Sequence, residues 1–146
     1  MQRLLNVLIL LAVVLVIGGM SRYLFQERQR EKFAGLAQIA SAMAEVQGLK
    51  MRIRMYHINQ GVMPDSNAAL GLPEPENLKR GGAKSVSVEE GGVIHLIFAA
   101  DNDQGLGHIF LAPDFADDYG DHRWVCFTPS YPDIERWMPL CNYRPL

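Results

Sequence analysis

The sequence has few of the residues that enzyme sites and metal sites use. Among its 146 residues there are two cysteines, Cys126 and Cys141, and four histidines. The cysteines form no Cys-x-x-C or cysteine–histidine pattern, so no zinc site is predicted. The histidines are far apart, and their spacing defines no Ser/His/Asp or Cys/His set: His57, His95, His108 and His122. We therefore expect no enzyme activity, no cofactor, no metal site and no small-molecule substrate.

Charged residues are also missing from residues 4–20, where Asn6 is the only polar side chain. As a helix, these seventeen residues would extend about 25 Å, slightly less than the roughly 30 Å hydrocarbon core of a bilayer. We expect a single-pass membrane anchor over residues 1–22, followed by a folded domain over residues 23–146. The alternative is a cleavable signal peptide, because Val16 and Gly18 are small enough to precede a cut after Gly18.

Two features of the sequence predict opposite orientations for this anchor. Only Arg3 precedes the apolar segment, whereas four basic residues follow it: Arg22, Arg28, Arg30 and Lys32. The positive-inside rule would place the following domain in the cytoplasm. A pair of cysteines behind a membrane segment instead favours an oxidising compartment and a disulfide, which would stabilise the fold by about 3 kcal/mol. We give the cysteines precedence and expect the domain outside the cytoplasm.

The charge distribution separates the chain into a basic and an acidic part. Residues 1–84 hold 11 Lys/Arg against 6 Asp/Glu, and residues 85–146 hold 3 against 10. The basic part could bind DNA, but scattered charges are more typical of a solvated surface. Packing of one subunit's basic part on a neighbour's acidic part is an equally natural interpretation.

Proline is absent from residues 4–58, so one helix of about 55 residues is predicted there, ended by Gly61 and Pro64. Beyond the apolar segment, large apolar residues recur every three or four positions: Phe33, Leu36, Ile39, Met43, Val46, Leu49, Ile53 and Tyr56. This stripe predicts a helix that packs on a sheet, or a coiled-coil seam for self-association; spacing alone does not separate the two.

The C-terminal half has the pattern of short strands. Residues 61–83 form a loop rich in proline and glycine. Strands are predicted over residues 84–88, 93–98, 108–112 and 123–128, and the short connections between them favour a four-stranded antiparallel meander. The last segment returns to Cys141 and forms a loop over residues 126–141. The predicted fold class is therefore α+β.

Two segments resemble bacterial type IV pilins. In YHINQGVMPDSNAALGLPEPENLKRGGAKSVSVEEGGVIHLIF, residues 56–98, the resemblance lies in the end of the helix, the N-A-A-x-G-L-P stretch and the first hairpin. In RWVCFTPSYPDIERWMPLC, residues 123–141, it lies in W-x-C and P-x-C. The resemblance implies the pilin fold, with the helix on a four-stranded sheet, a Cys126–Cys141 disulfide, a periplasmic domain and assembly into a filament.

The N-terminus departs from the pilin pattern. Typical members have a basic leader that ends in glycine, followed by Phe or Met and a T-L-[IV]-E run; here the apolar run begins at Leu4 and contains no glutamate. In the family, that glutamate pairs with a neighbour's N-terminal amine during assembly, and a carboxylate in lipid needs such a partner.

Three functions follow as expectations from the resemblance. The first is a structural pilus protein in the inner membrane or the pilus, serving adhesion, twitching motility or DNA uptake. The second is an uncleaved accessory or regulatory protein that binds pilins or the pilus assembly machinery from the inner membrane. The third, which requires the signal-peptide alternative, is a secreted soluble domain.

Overall fold

The computed structural model describes residues 2–99, 106–114 and 123–145, and within its N-terminal helix it describes the side chains at positions 6, 13–24 and 35–45. The chain divides into two units, Met1–Gly35 and Leu36–Leu146. Among the described residues, no helix is both long enough and apolar enough to cross a membrane. The predicted anchor at residues 1–22 includes many side chains that lie outside those described.

The proline-free part of the sequence is helical, but it forms two helices rather than one. Helix α1 spans Gln2–Glu45 and helix α2 spans Gln47–Gln60. Only Val46 separates them, with φ −76° and ψ −3°. The hydrogen-bond ladder continues on either side, because the Val46 amide donates to the Ala42 carbonyl and the Lys50 amide donates to the Val46 carbonyl, both at 3.0 Å. The interruption is therefore a local distortion of the helical path.

Helix α2 ends at Gly61. This glycine has φ 72°, and its amide donates to the His57 carbonyl at 2.8 Å. A left-handed conformation of this kind carries little steric cost only for glycine, which explains why the helix ends at this residue.

Within the described ranges the sheet has five strands, in the order β1-β2-β3-β4-β5: Ser85–Glu89, Val93–Ala99, Leu106–Asp114, Arg123–Thr128 and Cys141–Tyr143. The first four pair antiparallel, and β5 pairs parallel with β4. The prediction of a four-stranded, wholly antiparallel sheet was wrong. Cys126 and Cys141 are register partners as well as disulfide partners, so the segment after the loop lies beside β4 and extends the sheet.

The hydrophobic core lies between the helices and the inner face of the sheet. Alternate residues of β2 are buried, as expected for a sheet with one covered face. The helices contribute Ile39, Ala42, Val46, Leu49 and Ile53. The strands contribute Val86, Val88, Ile94, Leu96, Phe98, Ile109, Leu111, Cys126 and Cys141. The fold class is α+β, as predicted.

The loop before β1 is held to both layers. A Cβ atom added to Gly82 would overlap the side chain of Gln38, and one added to Gly81 would overlap the α1 backbone at Ala42, so the absence of side chains permits this close approach. Asn67 is 6% exposed and fastens the same loop to β1. Its Nδ2 donates to the carbonyls of Pro73 at 2.8 Å and Val86 at 3.1 Å, and its Oδ1 accepts from the Val88 amide at 2.7 Å.

Candidate interaction surfaces

The predicted stripe of the helix lies largely in the core. Ile39, Val46, Leu49 and Ile53 are buried. Leu36, Met43 and Tyr56 are partly buried, and the Phe33 side chain lies outside those described. Sequence reasoning missed Ala42, which is 0% exposed, because it considered only large apolar residues. The folded chain brings Gly81 against the backbone at Ala42, a contact between residues that are distant in sequence.

Helix α2 also has an apolar surface on its opposite side. Met51, Met55 and Ile58 are 57%, 47% and 59% exposed. An α-helix turns by about 200° over two residues, so Met55 points away from the buried Ile53. We call Met51, Met55 and Ile58 the exposed stripe. Apolar side chains in a continuous row are typical of a surface that contacts another protein.

An open cleft of about 330 Å³ adjoins the exposed stripe. It lies between α2 and the 3₁₀ turn Ala68–Leu70 and is lined by Met51, Arg52, Met55, Tyr56, Ala69 and Leu70. Its lining is mainly apolar, with one guanidinium and one phenol. The cleft suits an apolar side chain of a partner protein better than a reaction, because it gathers no acid–base pair.

The disulfide loop exposes a second apolar surface. Cys126 and Cys141 close it, and the 3₁₀ turn Ile134–Arg136 places Ile134 in the core. Trp137 is 51% exposed and Leu140 is 89% exposed. The loop is therefore anchored at its closing bond and at Ile134, and it presents apolar side chains between these points.

The outer face of the sheet holds a chain of hydrogen bonds across three strands. Glu89 Oε1 lies 2.6 Å from His95 Nδ1, and His95 Nε2 lies 2.9 Å from His108 Nδ1. The His95 ring stacks on Phe110 at a centroid distance of 4.2 Å, and Phe110 stacks on Phe127 at 5.1 Å. Burial lowers the pKa of His108 below its ordinary value, and the nearby His95 lowers it further.

Sequence reasoning missed this chain of hydrogen bonds because the three residues are not close in sequence. Strand register brings them together: His95 pairs with Phe110, and Ile97 pairs with His108. Because side chains alternate along β2 and β3, both histidines lie on the same face of the sheet. The distance between their rings depends on the register of the two strands.

The described residues contain no group of three or more histidine, cysteine, aspartate or glutamate side chains that could hold a metal ion. The hydrogen-bonded series Glu89, His95 and His108 does not form such a group, because Glu89 and His108 contact different nitrogens of the His95 ring. These two nitrogens point in different directions, so one ion could not replace both bonds.

Lys50 lies beside an aromatic ring, with its ammonium 5.3 Å from the Trp124 ring centroid, and burial lowers its pKa.

Comparison with known protein families identifies a match. A family model described as Pilin (bacterial filament) matches residues 36–139. The matched range includes α2, strands β1–β4 and most of the disulfide loop. No curated protein matches the chain.

Proposed function

Because the chain belongs to the pilin family of bacterial filament proteins, we propose that it is a structural protein of a type IV pilus system and that it associates with other pilin subunits through its helix. Filaments of this kind would serve adhesion, twitching motility or DNA uptake. The pilin family is a family of structural proteins.

The observation that carries the proposal is apolar surface on the helices. In the N-terminal unit, large apolar side chains between 47% and 74% exposed cover the helix: Val13, Val14, Leu15, Val16, Ile17, Met20, Tyr23 and Leu24. Such a surface is stable only if lipid or other apolar helices cover it. The exposed stripe on α2 adds apolar surface outside this unit.

We further propose that residues 1–22 anchor the protein in the inner membrane with a single pass and that residues 23–146 form a periplasmic domain. The Cys126–Cys141 disulfide supports this placement, because such bonds persist mainly in oxidising compartments.

A second candidate function is an accessory protein that remains in the inner membrane and binds pilins or the pilus assembly machinery. The apolar run at residues 4–20 favours it, since Asn6 is the only polar residue there and no carboxylate is available for the subunit pairing of typical pilins. Both functions use apolar helix surfaces, but only the first places the protein in a filament.

Fractionation separates the two functions. Cells that express the natural protein are sheared, and the pilus and inner-membrane fractions are probed for the chain and for its N-terminal residue. Recovery in sheared pili is expected for a structural subunit. Exclusive recovery in the inner membrane, with cross-links to pilins, supports the accessory function; recovery only as a soluble periplasmic protein that cross-links to no pilin contradicts both.

The exposed stripe is tested by Met55→Glu. Met55 lies at the surface, so the charge is expected to leave the unfolding temperature of the protein nearly unchanged but to reduce its cross-linking to pilins. Gln60→Glu is the matched control, because Gln60 is exposed on α2 outside the stripe. Equal cross-linking by the two variants would show that the stripe is not a contact surface.

A further inference from the structure

On the outer face of the sheet, the hydrogen bond between His95 and His108 persists when one proton is added to the pair but not when two are added. With both rings neutral, His95 donates to Glu89 through Nδ1 and accepts from His108 through Nε2. With one added proton, His95 donates through both nitrogens, and His108 Nδ1 becomes the acceptor. With two added protons, both nitrogens that face each other across the 2.9 Å contact carry hydrogen, so this bond is lost.

We propose that Glu89, His95 and His108 form an acid-sensitive latch, which joins β1, β2 and β3 on the outer face of the sheet and opens when both histidines are protonated. Each residue comes from a different strand. The side chains of the latch therefore connect the edge strand β1 to β3. This connection is additional to the backbone hydrogen bonds of the sheet.

The surroundings of His108 disfavour its protonation. Its neighbour His95 contacts the Glu89 carboxylate and stacks on the Phe110 ring. Burial and a charged His95 both lower the pKa of His108, so the second proton binds only below the ordinary range of histidine.

Other charged groups of the outer face lie on β3, on β4 and just after β5. Asp114 on β3 is the register partner of Arg123 on β4, at the far end of both strands from His108. Arg144 lies over the Phe127 ring at 5.4 Å, after β5. Glu89 is the acidic group in direct contact with the histidine pair.

The latch makes stability depend on pH with a defined sign. The unfolded chain takes up a proton at His108 near pH 6.5, the ordinary pKa of histidine, whereas the folded protein takes it up at lower pH. This site therefore makes its full contribution to the free energy of unfolding above pH 6.5. That contribution is lost as the pH falls through the pKa of His108 in the folded protein.

The test is a histidine-resolved NMR titration of the full chain in detergent micelles from pH 8 to 4.5. We expect His108 to titrate below the ordinary pKa of histidine, and His95→Gln to move the His108 midpoint upward. His57→Gln, which removes a histidine from α2, is the control and should leave the His108 midpoint in place. An unchanged His108 midpoint in His95→Gln would overturn the latch, because it would show that the two rings titrate independently.

Amide hydrogen exchange gives a second measurement. After correction for the intrinsic pH dependence of exchange, amides shared by β2 and β3 should exchange about tenfold faster below the His108 midpoint, a factor that corresponds to about 1.4 kcal/mol. In His108→Gln this acceleration should disappear. If His108→Gln accelerates exchange equally at high and low pH, His108 has only a packing role and the latch is refuted.

Discussion

Asn67 offers the sharpest test of how this fold is held together. Strand β1 is at the edge of the sheet, and its Val86 carbonyl and Val88 amide both bond to the Asn67 side chain instead of to a further strand. Asn67 therefore supplies at this edge the acceptor and the donor that another strand would provide. Asn67→Ala removes both together with the bond to Pro73.

The cost can be worked out from the exposure of the three groups that lose their partner. Val86 and Val88 are 0% and 4% exposed, so their backbone groups have little access to water. Pro73 is exposed, so its carbonyl can be hydrated. A buried polar group without a partner costs about 1–3 kcal/mol, and two such groups predict a loss of about 2–6 kcal/mol in Asn67→Ala.

Asn67→Asp is a stricter version of the same test. The carboxylate still accepts from the Val88 amide, but it faces the carbonyl oxygens of Pro73 and Val86 without a hydrogen to donate. We expect a loss of stability at neutral pH that is partly recovered in acid, where the protonated side chain can donate to one carbonyl.

The assay is denaturant unfolding of the full chain followed by circular dichroism, with Asn142→Ala as the control. Asn142 is an exposed asparagine on β5, and its substitution should change the free energy of unfolding by less than about 0.5 kcal/mol. If Asn67→Ala costs no more than Asn142→Ala, the edge of β1 does not depend on this side chain and the reasoning fails.

Two further predictions concern close packing and the disulfide. Gly82→Ala should destabilise the protein by about 1–3 kcal/mol, because the added methyl group overlaps Gln38; Gly48→Ala, which meets no atom within 4 Å inside α2, should be neutral or stabilise by up to about 1 kcal/mol. Thermal unfolding compares the two, and equal effects would show that the loop does not approach α1 closely. The double variant Cys126→Ala, Cys141→Ala should lose about 3 kcal/mol of stability relative to the oxidised natural protein, because the disulfide joins residues that are 15 positions apart. Unfolding of the variant is compared with unfolding of the reduced and the oxidised natural protein. Natural protein with the same unfolding midpoint in both redox states would contradict this.

Some elements of this fold follow from local sequence. The absence of proline up to residue 58 and the glycine at 61 predict where helical structure ends, because both act on the backbone of their own segment. The glycines at 91 and 92 adopt φ 79° and 74° in the β1–β2 connection, as expected for a hairpin made by residues that tolerate positive φ.

Other elements depend on partners that are distant in sequence. Strand β5 has only three residues and would not be assigned as a strand by pattern; it forms because the disulfide fixes Cys141 beside Cys126. The burial of Ala42 likewise depends on a loop about forty residues away that approaches α1 at Gly81. Neither contact has a local sequence signal strong enough to predict it.

By itself, the sequence determined the helical N-terminal half, the strand-forming C-terminal half, the apolar stripe and the resemblance to pilins, since these depend on periodicity, on turn residues and on motifs within short segments. Only the tertiary structure decided that the sheet is mixed, that Asn67 covers its edge and that Glu89, His95 and His108 bond in series. The physical reason is that hydrogen bonds act over about 3 Å, so a partner on another strand is determined by the register of the folded chain, which spacing along the sequence does not specify.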